Sequence, residues 1–334
     1  MTNVSNAWRG IVNKYSVPST KAAILQICTS VIPFIALIVA MYFARSVSYW
    51  LVLLMTVPAA GLLIRIFIIM HDCGHNSFFP SRRWNDIVGF WTGVLALTPY
   101  TQWRREHAIH HATSGNLEER GYGDVATFTV KEYLALSWWG RFKYRVYRNP
   151  LVMFGIGPFW LAIGQRMPNL GSKIGRKEAV GVLYTNLALA GLLTVAALLG
   201  GFSDTLLIYG PVFFLSGSAG IWLFYVQHQF DDTYWKPEGQ WDYATAALYG
   251  SSYLKLPKVL QWFTGNIGLH HIHHLSPKIP NYRLQRCHDE NPLFQQVPTL
   301  TFWGSFKTIR NKLWDEDSNR MVGFSYLRRL GPSK

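Results

Sequence analysis

The sequence predicts an all-α integral membrane protein, with four transmembrane helices in two hairpins and a helical cap on one side of the bilayer. Four apolar runs, about 23–43, 48–70, 179–200 and 205–226, are each long enough to cross a hydrocarbon core of about 30 Å. The links within each pair are short: Arg45 is the only charge between the first two runs, and GGFSD (200–204) joins the second two. Of the 32 Lys and Arg residues, 30 fall in the stretches that two hairpins leave on one side. By the positive-inside rule that side is the cytoplasm, so both termini and the cap, residues 71–178 and 227–334, are expected there.

Before the first run, Arg9, Lys14 and Lys21 are not followed by a short apolar segment with a small-residue cleavage site, so that run is expected to stay in the mature protein. Two shorter apolar stretches, 86–100 and 150–164, contain Pro or Gly and are expected to be interfacial or re-entrant. The segment KEYLALSWWGRFKYRVYR (131–148) mixes large apolar residues with Arg141, Lys143, Arg145 and Arg148, as a helix lying on a membrane surface does. Tyr49, Trp50, Trp138, Trp139, Trp222 and Trp235 are expected at the depth of the headgroups, which amphipathic rings prefer. No internal repeat or low-complexity tract divides the chain, and 1–334 is expected to be a single unit.

Composition narrows the chemistry. With 49% hydrophobic and 15% aromatic residues the chain does not read as an ordinary soluble domain. The net charge of +14 is grouped by membrane side, not in an arm or stripe, so anionic headgroups or an acidic protein are the expected partners and nucleic acid is not. Cys28, Cys73 and Cys287 lie far apart without a CxxC pair, which argues against a disulfide frame, a thiolate zinc site or an iron–sulfur cluster. Any metal site must then use nitrogen or oxygen.

Histidine supplies the nitrogen. Eight of the eleven histidines form three groups: HDCGH with His71 and His75, HAIHH with His107, His110 and His111, and HHIHH with His270, His273 and His274 beside His271. Spacings of i, i+3 and i+4 put the imidazoles of a group on one helical face, while His271 points about a third of a turn away. A single group could be a polar turn or a proton-handling cluster. Three groups on one side of one membrane point to metal, for which neutral imidazole is the commonest ligand. The eight exceed the roughly four ligands of zinc and the roughly six of an octahedral ion, so two metals is the economical count. His228, just past the fourth run, mirrors His71 after the second and is a ninth candidate; His288 has no partner at helical spacing and is left out.

Imidazole suits zinc, copper, iron and nickel alike. Carboxylates are missing from the repeated positions, which separates the site from the soluble di-iron bundles built on Glu and Glu-x-x-His. Asp72, Glu106, Asp124, Asp231 and Asp232 lie close by and are candidates for accepting the second N–H of a ligating imidazole. Small and aromatic residues in LSGSAGIWLFY (215–225) could line an apolar tunnel or serve helix packing.

With these motifs in hand, the sequence resembles the membrane fatty acid desaturases, whose hallmark is three histidine boxes in this order around two hairpins. HDCGHNSFF (71–79), WRREHAIHHATSGN (103–116), YVQHQFDD (225–232) and HHIHHLSPKIPNYRL (270–284) are similar to the acyl-lipid branch that includes the delta-12 or omega-6 desaturases. A bacterial inner membrane is the expected location, and the resemblance implies two non-haem irons. His71, His75, His107, His110, His111, His270, His273 and His274 would be the ligands, with His228 completing the set. It implies O2 and two electrons used to convert adjacent methylenes of an acyl lipid into a cis double bond and water. The third box begins with His270 rather than Gln, and no cytochrome b5-like HPGG stretch is present, so electrons would come from a separate ferredoxin or cytochrome b5. A hydroxylase or ketolase on the same scaffold would share these ligands. A metal transporter would place histidines inside the spans, where this sequence has none, and a zinc hydrolase would need neither O2 nor reductant.

Overall fold

The computed structural model describes residues 7–121, 123, 125–167 and 175–330. After the short helix α1 (Ala7–Tyr15) come the first two spans, α2 (Thr20–Val47) and α3 (Tyr49–Gly74). Ser48 alone turns the chain between them. Its extended backbone lets its N–H close α2 on Ala44 O, and its hydroxyl accepts from Trp50 N at 3.3 Å to start α3.

Further along the chain lie α4 (Arg82–Leu95), α5 (Tyr100–Thr113), α6 (Val130–Ala135), α7 (Trp138–Tyr147) and α8 (Gly157–Gln165), the last entered through a π-helical turn over Val152–Ile156. The second pair of spans is α9 (Arg176–Gly200) and α10 (Phe202–His228). Their link shrinks to Gly201, whose φ of +85° is a conformation glycine adopts without a steric penalty. An Arg45–Asp204 pair at 3.5 Å joins the two hairpin turns at the same end; both side chains are part exposed, so it fixes position more than energy.

The four spans are not equivalent. Half of the apolar window of α3 is buried, against 22% in α2 and α10 and 11% in α9, so α3 is the central post and the others present their sides to lipid. Pro33, Pro58 and Pro211 lie inside these helices, where neighbouring helices compensate the lost backbone bonds. Beyond the apolar windows α3 and α10 continue as helix, and this continuation carries His71 and His228 into the cap.

The C-terminal part of the cap holds α11 (Tyr243–Tyr249), α12 (Lys258–Phe263), α13 (His270–Leu275) and α14 (Asn281–Asp289). Two small sheets complete it: β1 (Tyr253–Lys255) runs parallel to β2 (Thr299–Thr301), and β3 (Leu313–Asp315) antiparallel to β4 (Arg320–Val322). A core of Val12, Tyr15, Leu248, Ile272, Leu275, Leu284 and Phe294 packs α1, α11, α13 and α14 together. At about 1.5–3 kcal/mol for each large apolar side chain, that burial is what fixes the histidine-bearing α13 in place.

Two expectations need correction. The 131–148 segment is not one surface helix: it breaks at Leu136–Ser137, and Ser137 caps a new helix by accepting from Gly140 N. Arg148 does not reach headgroups. It is fully buried and donates to Ala126 O, Thr127 Oγ1, Gln229 Oε1 and Asn311 O at 2.9–3.0 Å, tying the end of α7 to the residues after α10. Trp50, Trp138 and Trp139 are exposed, whereas Trp235 lies in the cap interior against Trp314 and Met321. In the 215–225 stretch, a Cβ on Gly217 would come within 2.9 Å of Pro158, and Ser218 donates to Phe154 O, so these small residues serve close packing against 152–165.

Candidate metal centre

Four elements deliver the nine imidazoles. The end of α3 brings His71, with His75 capping it; α5 brings His107, His110 and His111; the end of α10 brings His228; and α13 brings His270, His273 and His274. All are buried except His75, which is part exposed. They sort into two groups able to hold a metal ion, each with its candidate ligand atoms within 4.8 Å of one another. The first is His71, His75, His107, His111 and His273; the second is His110, His228, His270 and His274. Among the described residues no Asp, Glu or Cys joins either group.

Helix geometry explains the sorting. Residues i and i+4 lie about 40° apart around the axis, while i+3 lies about 60° to the other side. His107 and His111 therefore stay together and His110 crosses to the second group; His270 and His274 stay together and His273 crosses to the first. Each HxxHH helix thus serves both groups, and the stacked rings of His111 and His274, 4.2 Å between centroids, mark where the groups meet.

The donor set fits metal better than it fits protons. Nε2 of His111 lies 3.1 Å from His107 Nε2 and 3.0 Å from His273 Nε2, and His270 Nε2 lies 3.0 Å from His228 Nε2. A ring nitrogen has one in-plane lone pair or one proton, so His111 Nε2 cannot bond well to both neighbours. With metal–nitrogen bonds of about 2.1 Å, ligands at right angles lie about 3.0 Å apart, so the spacing is that of one coordination shell. His75 Nε2, His111 Nδ1, His270 Nδ1 and His274 Nε2 are buried without a hydrogen-bond partner, each at a cost of about 1–3 kcal/mol. Burial first, and neighbouring imidazoles second, push His75, His107, His111, His270, His273 and His274 well below the ordinary histidine range, which keeps them in the neutral form that ligates.

Behind His71 and His228 stand two different supports. His71 Nδ1 donates to Asp72 Oδ1 at 3.0 Å, and the buried carboxylate is braced through Oδ2 by the Asn281 backbone N–H at 2.6 Å and Nδ2 at 2.8 Å. His228 Nδ1 donates to Gly250 O at 3.1 Å. In both, the hydrogen bond fixes the tautomer and frees Nε2. Of the other acidic candidates, Glu106 accepts from Gln102 Nε2, Asp231 accepts from Asn311 Nδ2, Asp232 is exposed, and Asp124 lies outside the described residues.

His271 is held away, its Nε2 donating to Phe294 O at 3.0 Å, and burial lowers it to about 3. His288 sits beside it, also outside both groups. Sequence reasoning missed Asn281, although it lies in the quoted HHIHHLSPKIPNYRL stretch directly after Pro280. It also missed Trp103, which stacks on His107 at 4.3 Å from the same i, i+4 position that relates the histidines.

Comparison with known proteins agrees with this geometry. The family model described as fatty acid desaturase matches residues 19–303. The chain is 48% identical over 320 residues, 96% of its length and 90% of the relative's, to a fatty acid desaturase of Bacillus subtilis (strain 168). It is 27% identical over 226 residues, 66% of this chain and 63% of the relative, to an sn-1 oleoyl-lipid 12-desaturase of a Synechocystis species. From the same organism, an sn-1 acyl-lipid omega-3 desaturase (ferredoxin) is 28% identical over 241 residues, 66% of this chain and 62% of the relative. Two clustered sets of imidazoles at the ends of two membrane hairpins and a match over most of the length lead to one conclusion: the chain belongs to the fatty acid desaturase family, a class of oxidoreductases.

Proposed function

We propose that this protein is an acyl-lipid desaturase that takes two hydrogens from adjacent methylenes of a membrane lipid, leaving a cis double bond. The balance is one O2, two electrons and two protons consumed, with two waters released. The observation that carries this reading is the pair of carboxylate-free imidazole groups, one of five and one of four, meeting where the hairpins leave the membrane. His71, His75, His107, His111 and His273 would hold one non-haem iron; His110, His228, His270 and His274 would hold the other. Once bound, the two irons with O2 supply the oxidising power that an unactivated methylene demands.

The chain supplies position and dryness. Asp72 and the Gly250 carbonyl keep His71 and His228 in the tautomer that presents Nε2. Trp103 against His107 and Phe224 beside His110 and His228 keep water from the imidazoles. No side chain beyond the nine is assigned a catalytic role. Residues 1–334 act as one unit in a bacterial inner membrane, with both termini and the cap, 71–178 and 227–334, on the cytoplasmic side. The skew of Lys and Arg supports that orientation. Electrons come from a separate protein of the ferredoxin or cytochrome b5 type, a reading supported by the relative named with ferredoxin and by the basic charge that would attract an acidic donor.

Expression in a host lacking desaturases, followed by gas chromatography and mass spectrometry of total fatty acids, tests the reading. New monounsaturated chains are expected, and none when His273→Ala is expressed to the same level in the membrane. An oxygenated chain in place of a double bond would move the protein to the hydroxylase or ketolase chemistry that the same scaffold supports.

A further inference from the structure

We propose that a cation-lined cavity between α3, α12 and α14 binds the phosphate of a glycerophospholipid and so selects phospholipid as the substrate. The cavity is about 560 Å³ and lies outside both imidazole groups. Its wall carries Arg65, Lys255 and Lys258 against a single acid, Asp289, which is engaged by Gln285 Nε2 at 2.7 Å. Among the described residues no carboxylate pairs with any of the three cations.

Arg65 is the unusual member. It lies inside a span, where an ionisable side chain is expensive and marks function. Its Nε donates to Ser30 Oγ at 3.1 Å, its Nη1 to Trp262 O, and its guanidinium lies 4.2 Å from the Trp262 ring centre. Nη2 makes no hydrogen bond among the described residues. A planar guanidinium steadied on an indole beside two lysines is the chemistry that binds a phosphate.

Three features assign the anion to a lipid. First, α12 exposes Val259, Leu260 and Trp262 beside the lysine-bearing rim, an apolar and aromatic edge suited to the boundary between headgroups and chains. Second, Arg65 precedes His71 by six residues, about 9 Å along α3, so a phosphate at the cavity sits within acyl-chain reach of the imidazoles. Third, Asn281 both lines the cavity and braces Asp72, so one wall is shared with the support of His71. The proposal rests on the desaturase reading for the role of the lipid as substrate.

The test reads lipid retention alone, without O2 or reductant, so its failure and that of the desaturase reading are separable. The purified full-length protein in detergent is titrated with phosphatidylglycerol, with diacylglycerol bearing the same chains, and with inorganic phosphate, and the bound species are counted by native mass spectrometry. Arg65 ties α2, α3 and α12 together, so the variant is Lys255→Gln with Lys258→Gln, both exposed side chains; unchanged iron content reports that it is folded. Wild type is expected to retain phosphatidylglycerol at least about tenfold better than diacylglycerol, and the double variant to lose about fivefold in phosphatidylglycerol affinity per lysine removed. Equal retention of the two lipids by wild type, or unchanged phosphatidylglycerol affinity in the folded variant, overturns the proposal. Binding of inorganic phosphate without any preference between the lipids also overturns it, assigning the cavity to a free anion.

Discussion

The two imidazole groups look alike in chemistry and differ in support. The first has five members, one of them, His75, at a part-exposed edge, and a carboxylate behind His71. The second has four, all buried, with the neutral carbonyl of Gly250 behind His228. A carboxylate both orients an imidazole and raises its basicity, whereas a carbonyl orients it without adding charge. The first group therefore has one more imidazole than the second, and the carboxylate behind His71 adds negative charge there.

The largest effect that can break this contrast is loss of a ligand. His274→Ala, which thins the smaller group, is expected to abolish desaturation and lower bound iron from about two to about one per chain. His75→Ala is expected to abolish desaturation too, while iron, read by elemental analysis, stays closer to two. Equal iron loss in both variants would remove the distinction. Asp72→Asn comes next: iron affinity at the first group is expected to fall about 10–100-fold, measured by chelator competition, with the second group unaffected. Asn281→Ala should cost less, about tenfold, because the backbone N–H to Asp72 remains after one charge-assisted bond is lost. Smallest is His271→Ala, expected to leave iron content unchanged and lower thermal stability by about 1–3 kcal/mol through loss of the bond to Phe294 O.

How much of this was legible in the sequence follows from what each signal measures. An apolar run reports contact with lipid, so it located the four spans but stopped short of their ends. The helix α9 begins on Arg176 and Lys177, and α10 ends on Gln227 and His228, residues that no hydropathy window includes. Helical spacing identified which histidines share a face, and eight of the nine were visible in that way. Their division between two groups was not, because it depends on α5 and α13 facing each other so that His110 and His273 exchange sides. The supports were least legible: Asp72 is adjacent to His71 in sequence, but Asn281 reaches it from 209 positions away. Arg148 misled for a related reason. In sequence it belongs to a basic amphipathic stretch, and only the meeting of Gln229, Asn311 and Thr127 makes burial of its charge tolerable.

The central claim is that nine imidazoles on four elements form one bimetallic pocket. X-ray absorption at the iron edge on the purified protein, with elemental analysis of the same sample, tests it most directly. Two irons per chain with a light-atom first shell dominated by imidazole and no sulfur is the result expected. A single ion per chain, or zinc held at these positions with no iron taken up, would contradict it.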